Sequence, residues 1–285
     1  MGLKITMDQV QSKDSLLFNT SIKISYLLPD ERIIIMRILL EKDGPHIAII
    51  TIDHQKKLNA MSREMMQRLG NIWDELSRDE TRCIILTGAG ERAFCVGADI
   101  SGDLEATPEI SKIVNHALLK TDIFKKPIIG AVNGDCIGGG LELLLPTDIR
   151  VTSPNARFGL PEVKWSIYPF GGATIKLIQQ IGYVQAMDLL LTGRLISAEE
   201  ARQIGLVNDI RKTGSVLDWA LEKAHMIVAN SPSAVQAVKT QISSSIAEHV
   251  RSREDLDQKL GDQVRSDPNF KEGVNAFLEK RQPKY

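Results

Sequence analysis

Apolar positions follow two different periods along the chain, and a clear pattern begins only after about residue 36. The run RILLEKDGPHIAIITI (37–52) predicts two β-strands around an Asp-Gly-Pro turn. The next segment predicts a helix capped by Ser62, with apolar residues at helical spacing: Met65, Leu69, Ile72 and Leu76. CIILTG, PIIGAV and DIRVTS read as further strands. Strands that alternate with helices predict an α/β fold with right-handed crossovers.

After Gly171 the apolar period is helical almost throughout. Ser197 and Glu200 have the spacing of a capping box. Glycines fall where helix ends are expected, at Gly182, Gly193 and Gly205. We therefore expect three parts. Residues 1–35 form a poorly ordered N-terminal extension, residues 36–230 an α/β core, and residues 231–285 a C-terminal helical region.

Composition and charge exclude several classes of protein. The chain has 285 residues, 43% of them hydrophobic and 25% charged, and a formal net charge of −1. No global basic field draws it to nucleic acid or to an anionic membrane. No apolar run has membrane-spanning length, and the first residues lack a signal-peptide core. An odd count of three cysteines without a C-x-x-C pair, and five scattered histidines, predict a reduced cytoplasmic protein without a zinc site.

Two glycine-containing turns are candidates for binding an anion. Gly138-Gly139-Gly140 follows a β-rich run and directly precedes a helix, whose first N–H groups lack internal partners. Taken alone, this feature is better explained as a tight strand-to-helix turn without function, because glycine-rich turns are common in α/β proteins. Gly97 and Ala98 form a second turn of the same kind. An oxyanion hole needs two N–H donors that converge on one oxygen. If the Gly138–Gly140 turn supplies one donor, the Gly97-Ala98 turn could supply the other.

Two glutamates are candidate acid–base groups. Glu142 lies within the apolar run Leu141–Leu145, so it is either buried and paired or faces a cavity. In a dry cavity its pKa would rise, which suits general acid–base catalysis. Glu162 follows Pro161 in a turn-rich stretch, where a surface glutamate is the ordinary alternative.

Taken together, these segments resemble the crotonase superfamily, the enoyl-CoA hydratase/isomerase family. The resemblance covers roughly residues 37–285. The matching motifs are KKLNAM (56–61), AFCVGADI (93–100), KPIIGAVNG-x-x-x-GGGLEL (126–143), ARFGLPEV (156–163) and LTGRLISAEEARQIGLVN (191–208). The resemblance implies an α/β crotonase (ClpP-like) fold, in which repeated ββα units form a spiral core that ends in a C-terminal helical region.

The resemblance also implies an activity and a set of site residues. The N–H groups of Ala98 and Gly139 would bind the thioester oxygen, and Glu142 and Glu162 would hold the reacting water. Because both glutamates are present, we expect an enoyl-CoA hydratase that adds water syn across the 2,3-double bond through an enolate. Coenzyme A would enter as part of the acyl-CoA thioester substrate, so no separate cofactor is expected. Substrate and CoA contacts are expected at Lys56, Leu58, Ala60, Asp99, Ile100, Phe277 and Lys280.

Family members are usually trimers or dimers of trimers, so the resemblance implies a homotrimer or homohexamer. The C-terminal region would serve oligomerisation and contact CoA, with Phe277 and Lys280 often lent to a neighbouring subunit. Two features depart from the hydratase pattern. Phe170 stands where glycine is common, so its ring either intrudes on the acyl or water site or packs in the core. Pro146 should kink the helix of Glu142 or end it early.

Two other functions stay open at this point. An isomerase, decarboxylase or thioester hydrolase of the same fold would use the same oxyanion hole. A non-catalytic or RNA-binding relative is disfavoured, because no Lys/Arg-rich stripe is evident.

Overall fold

The computed structural model describes residues 37–99 and 107–285. The predicted extension at residues 1–35 and the predicted contact Ile100 lie outside these residues. The strands are β1 (Arg37–Asp43), β2 (Ile47–Asp53), β3 (Cys83–Gly88), β4 (Ala93–Cys95), β5 (Ile128–Val132), β6 (Asp135–Ile137), β7 (Ile149–Thr152), β8 (Arg157–Gly159), β9 (Ile196–Ser197) and β10 (Asp209–Ile210). The helices are α1 (Arg63–Arg78), α2 (Pro108–Ala117), α3 (Gly139–Leu144), α4 (Ala173–Ile181), α5 (Tyr183–Thr192), α6 (Ala198–Gln203), α7 (Val216–Val228), α8 (Pro232–Ser252), α9 (Glu254–Ser266) and α10 (Pro268–Leu278).

Within the described residues, six strands form one sheet in the order β1-β2-β3-β5-β7-β10. Strand β1 pairs antiparallel with β2, and the other neighbours are parallel. Parallel strands joined by crossovers are covered on both faces, so their sequences are almost continuously apolar. In β3, Ile84 and Leu86 belong to one hydrophobic cluster and Cys83 and Ile85 to another. The two clusters therefore lie on opposite faces of this sheet.

Helices α1 and α7 contribute to opposite clusters. Leu69, Ile72 and Trp73 of α1 belong to the larger one, and Ala220 and Ala224 of α7 to the smaller one. The helix predicted after Ser62 is confirmed, because the Ser62 hydroxyl accepts a hydrogen bond from the Met65 N–H at 3.3 Å.

A second sheet of four described strands has the order β4-β6-β8-β9. Strands β4, β6 and β8 are parallel neighbours, and β9 pairs antiparallel with β8. The sequence pattern had suggested a single β-rich run from Pro127 to the glycine triplet. Instead the chain leaves the large sheet after β5 and enters the small sheet as β6. The break is at Gly134, where a Cβ would lie 2.3 Å from the Arg92 carbonyl carbon.

The C-terminal helices pack on the remainder of the chain and on one another. Helix α8 contacts α4 and α9, and α10 contacts the 3₁₀ helix Pro161–Trp165. In the described ranges, no helix combines the length and the apolar character needed to cross a bilayer.

Candidate active site

Three parallel strands of the small sheet end at one edge, and each leads into a candidate site segment. Strand β4 leads to Gly97 and Ala98, β6 to Gly139 and α3, and β8 to Glu162. Because carboxyl ends of parallel strands meet at the same edge of a sheet, segments far apart in sequence become neighbours.

The two glycine turns touch each other. A Cβ on Gly97 would lie 3.1 Å from the Gly139 nitrogen. A Cβ on Gly139 would lie 3.3 Å from the Gly97 Cα and 3.7 Å from the Ala98 nitrogen. Gly97 also has a φ of 101°, which disfavours residues with a Cβ. The turns can approach this closely because neither glycine carries a side chain.

Hydrogen bonding of the flanking residues orients both N–H groups. The Met61 N–H donates to the Gly97 carbonyl, and the Asp99 N–H donates to the Met61 carbonyl, both at 2.9 Å. Because alternate residues of an extended segment face opposite sides, the Ala98 N–H points away from Met61. Gly139 is the first residue of α3, whose initial N–H groups lack helical acceptors. Over residues 37–99 and 107–285, neither of these two N–H groups has an acceptor.

Glu142 lies in the first turn of α3 and is buried. Its Oε1 accepts a hydrogen bond from the Ala173 N–H at 3.3 Å. Burial raises the pKa of Glu142 to about 7, while the N–H groups of Ala173 and Gly171 and the charge of Lys120 oppose the rise. Helix α3 ends at Leu144, before Pro146, so the predicted early end is confirmed.

Glu162 lies in the 3₁₀ helix Pro161–Trp165 and points at the glycine triplet. A Cβ on Gly138 would lie 3.1 Å from Glu162 Oε1. Glu162 Oε2 is buried without a hydrogen-bond partner among the residues that the structure describes. Burial, and then the charge of Glu142, raise the pKa of Glu162 to about 8. The structure thus brings together two proton-binding carboxyl groups and the Gly138–Gly139 turn.

The predicted CoA segment at 56–60 follows β2 and lies beside the Ala98 turn. Leu58 and Asn59 both have left-handed backbone, with φ of 53° and 58°. The Asn59 side chain donates to the carbonyls of Ala89 and Ala93 at 3.0 and 2.7 Å. Asn59 therefore fixes this segment against the start of β4, a role that the sequence did not indicate.

The other predicted contacts divide between this segment and the last helix. Ala60 is buried and Lys56 is exposed, and Asp99 forms an ion pair with Lys57 at 2.7 Å. Phe277 of α10 packs edge-on against Trp165 of the same chain, with ring centroids 5.2 Å apart. Lys280 follows α10 and is exposed.

Phe170 packs against helix α9. A Cβ on Gly261 would lie 2.0 Å from the Phe170 ring, and the Arg265 guanidinium lies 4.9 Å from the ring centroid. The sequence left open whether the Phe170 ring enters the acyl or water site or packs in the core. The ring packs against the C-terminal helix α9. The same loop supplies the Gly171 and Ala173 N–H groups to Glu142, a contact that no sequence motif had indicated.

Comparisons with known proteins identify the family of this chain. A sequence profile of the enoyl-CoA hydratase/isomerase family matches residues 43–285. The chain is 42% identical over 255 residues to enoyl-CoA hydratase EchA19 of Mycobacterium tuberculosis, covering 87% of this chain and 95% of the relative. It is 35% identical to short-chain-enoyl-CoA hydratase of Clostridium acetobutylicum, covering 86% and 95%.

A solved structure of carnitinyl-CoA hydratase from Mycobacterium avium superimposes with a TM-score of 0.80 at 32% identity, covering 87% of this chain and 97% of that one. The predicted crotonase fold is confirmed by this likeness and by the family profile. The chain belongs to the enoyl-CoA hydratase/isomerase family of the crotonase superfamily.

Proposed function

We propose that this chain is an enoyl-CoA hydratase, which adds water syn across the 2,3-double bond of an enoyl-CoA thioester. The observation that carries the proposal is the pair Glu142 and Glu162, two carboxyl groups with raised pKa at the edge where the two glycine turns meet. A one-base isomerase would not need the second buried carboxylate. Relatives named as hydratases support the same activity.

The thioester oxygen accepts hydrogen bonds from the N–H groups of Ala98 and Gly139. When water attacks C3, electrons move toward the thioester and negative charge develops on this oxygen. Because the two donors are already oriented and have no other acceptor among the described residues, they stabilise the enolate without reorganisation. Each such donor contributes on the order of 3 kcal/mol to transition-state stabilisation.

Glu142 acts as the base and Glu162 as the acid. Two backbone N–H groups and the charge of Lys120 favour the ionised form of Glu142, whereas Glu162 Oε2 has no such donor in the described residues. With pKa values of about 7 and about 8, the pair holds one proton between them near neutral pH. Glu142 takes a proton from the attacking water, and Glu162 delivers its proton to C2. The two steps complete the addition of H and OH.

The CoA part of the substrate lies along Lys56, Leu58, Ala60 and Asp99, and Ile100 is a further predicted contact. Phe277 and Lys280 contribute from the C-terminal region. The enzyme works as a homotrimer or homohexamer in the cytoplasm. The three buried, unpaired cysteines support a reducing compartment.

A spectrophotometric assay tests the proposal. Enoyl-CoA thioesters of different length and substitution are supplied, and loss of the conjugated absorbance is followed. We expect turnover by the wild-type protein and a decrease of roughly 10²–10⁴-fold in Glu142→Gln. Undiminished hydration in Glu142→Gln, or double-bond migration without hydration in the wild type, would overturn the assignment.

A further inference from the structure

A buried ion pair joins the core to helix α9 next to the active site. Lys120, which follows α2, donates to Asp257 Oδ2 of α9 at 2.7 Å. Only 3% of Lys120 and 5% of Asp257 is exposed. Tyr168 donates its hydroxyl proton to Asp257 Oδ1 at 2.7 Å, so both carboxylate oxygens are occupied. Burying two charges is costly, so the pair is weak evidence for added stability.

The same helix fixes the loop that hydrogen-bonds to Glu142. Tyr168 is bonded to Asp257, and the Phe170 ring lies on Gly261, one helical turn further along α9. Gly171 of this loop and Ala173, the first residue of α4, supply N–H groups to the Glu142 carboxylate. Helix α9 thus holds the donors that orient Glu142.

Lys120 and Asp257 also act on Glu142 through their charges. After burial and the backbone N–H groups, the positive charge of Lys120 lowers the pKa of Glu142, and the negative charge of Asp257 raises it. Glu162 faces Glu142 from the 3₁₀ helix. Lys176 of α4 also interacts with Glu142, and it donates to the Leu119 carbonyl at 2.8 Å. Tyr168 lies within the field of the same carboxylate.

We propose that Lys120 and Asp257 are positioning residues for hydration, a balanced charge pair that sets the ionisation of Glu142 while helix α9 holds its hydrogen-bond donors. This inference rests on the proposed role of Glu142 as the base. The two charges have opposite sign and the same neighbour. Removing the charge of Lys120 and removing the charge of Asp257 therefore shift the titration of Glu142 in opposite directions. If the pair were only structural, both removals would shift it in the same direction or not at all.

The experiment compares pH profiles of kcat/KM for Asp257→Asn, Lys120→Met and the double variant. We expect the acid limb to move to lower pH in Asp257→Asn and to higher pH in Lys120→Met, each by roughly 0.5–1 unit. In the double variant the limb returns toward the wild-type position, because both charges are gone. Movement of both single variants in the same direction, or of neither, would overturn the proposal.

Two matched variants separate charge from packing. Tyr168→Phe keeps both charges and removes the hydroxyl, which bonds to Asp257 and also interacts with Thr174. A looser loop donates less well to Glu142, so kcat decreases and any movement of the acid limb is to higher pH, opposite to the movement in Asp257→Asn. Glu254 lies on the more exposed side of the pair, where its Oε1 accepts a hydrogen bond from Lys120 Nζ at 3.1 Å. We expect Glu254→Gln, which removes this charge, to leave the acid limb of the pH profile unchanged. If Lys120→Met fails to fold, a shift to lower pH in Asp257→Asn that Tyr168→Phe does not share supports the proposal. A shift of both variants in the same direction, or an unmoved limb in Asp257→Asn, contradicts it.

Glu142→Gln distinguishes failure of this inference from failure of the proposed function. If Glu142→Gln hydrates enoyl-CoA at the wild-type rate, the assignment of Glu142 fails. If Glu142→Gln is inactive and the acid limb does not move in Lys120→Met or Asp257→Asn, this inference fails while the proposed function stands.

Discussion

Gly171 packs directly against Glu142: a Cβ on Gly171 would lie 2.6 Å from both the carboxyl carbon and Oε2 of Glu142. Gly171→Ala must therefore displace the carboxylate or the loop that hydrogen-bonds to it. We expect kcat to decrease by about 10²-fold or more, since small displacements of a catalytic group are this costly. Steady-state kinetics measure the effect. Gly214→Ala is the matched control, because a Cβ at Gly214 meets nothing within 4 Å. Equal activity of the two variants would contradict the expected displacement.

The pH dependence of hydration should be bell-shaped. Glu142, with a pKa of about 7, must be ionised to act as the base, and Glu162, with a pKa of about 8, must be protonated to act as the acid. Activity then increases as pH rises through about 7 and decreases above about 8. Profiles of kcat/KM measure both limbs. A profile that stays flat from pH 6 to 9 with a slow chemical step would rule out these roles.

The same carboxyl groups should make the fold less stable at alkaline pH. Burial raises the folded-state pKa of Glu162 to about 8, above the ordinary 4.5. The folded state therefore binds this proton more tightly, and the resulting stability is lost as pH rises from about 4.5 through about 8. Glu162→Gln cannot ionise and escapes this loss. We expect it to be more stable than the wild type by roughly 1–3 kcal/mol at pH 8.5, and by much less at pH 5. Urea unfolding of both proteins at the two pH values measures this difference in the free energy of unfolding. An equal difference at pH 5 and pH 8.5 would contradict the effect of burial on Glu162.

The contact between the two glycine turns predicts a further loss of activity. Gly97→Ala places a Cβ 3.1 Å from the Gly139 nitrogen and at a φ of 101°, so one turn must move. We expect kcat to decrease by about 10²–10³-fold, as for loss of one oxyanion donor. Gly44→Ala is the control, since Gly44 has a φ of 64° and open space around it. If Gly44→Ala lowers kcat as much as Gly97→Ala, strain and not the donor geometry is responsible.

Phe277 allows packing to be separated from CoA binding. It contacts Trp165, three residues after Glu162, with the ring centroids 5.2 Å apart. If Phe277 also binds CoA, Phe277→Ala raises KM for an enoyl-CoA but not for a short N-acetylcysteamine thioester. If Phe277 only packs on Trp165, kcat decreases for both thioesters to the same extent. The aromatic contact itself is worth about 0.5–1.5 kcal/mol of stability.

Local patterns predicted much of this fold. Ser62 before an apolar helical pattern, Ser197 with Glu200, and the glycines at the ends of α4 and α5 each specify a boundary with atoms a few residues away. The motifs that resemble those of the crotonase superfamily named two glycine turns and two glutamates as candidates, and the structure brings these segments to one edge of the small sheet.

The sequence did not reveal contacts between distant segments. The transfer of the chain between sheets at Gly134 depends on the Asn133 side chain, which donates to the Gly90 and Ala93 carbonyls. Lys120 and Asp257 are 137 positions apart, and each looks locally like an ordinary surface charge. A pair of this kind leaves no periodic pattern or motif spacing in the sequence. It is recognised only from the burial of its two side chains in the structure.

The position of helix α9 also has a consequence for synthesis of the protein. Glu142 and Glu162 emerge from the ribosome long before Asp257, which closes a contact with Tyr168 across 89 positions. Both β-sheets can form on the nascent chain while the base still lacks the helix that aligns its donors. A molecule cut short ahead of α9 therefore lacks the Asp257 carboxylate that bonds to Tyr168 and Lys120 beside the base.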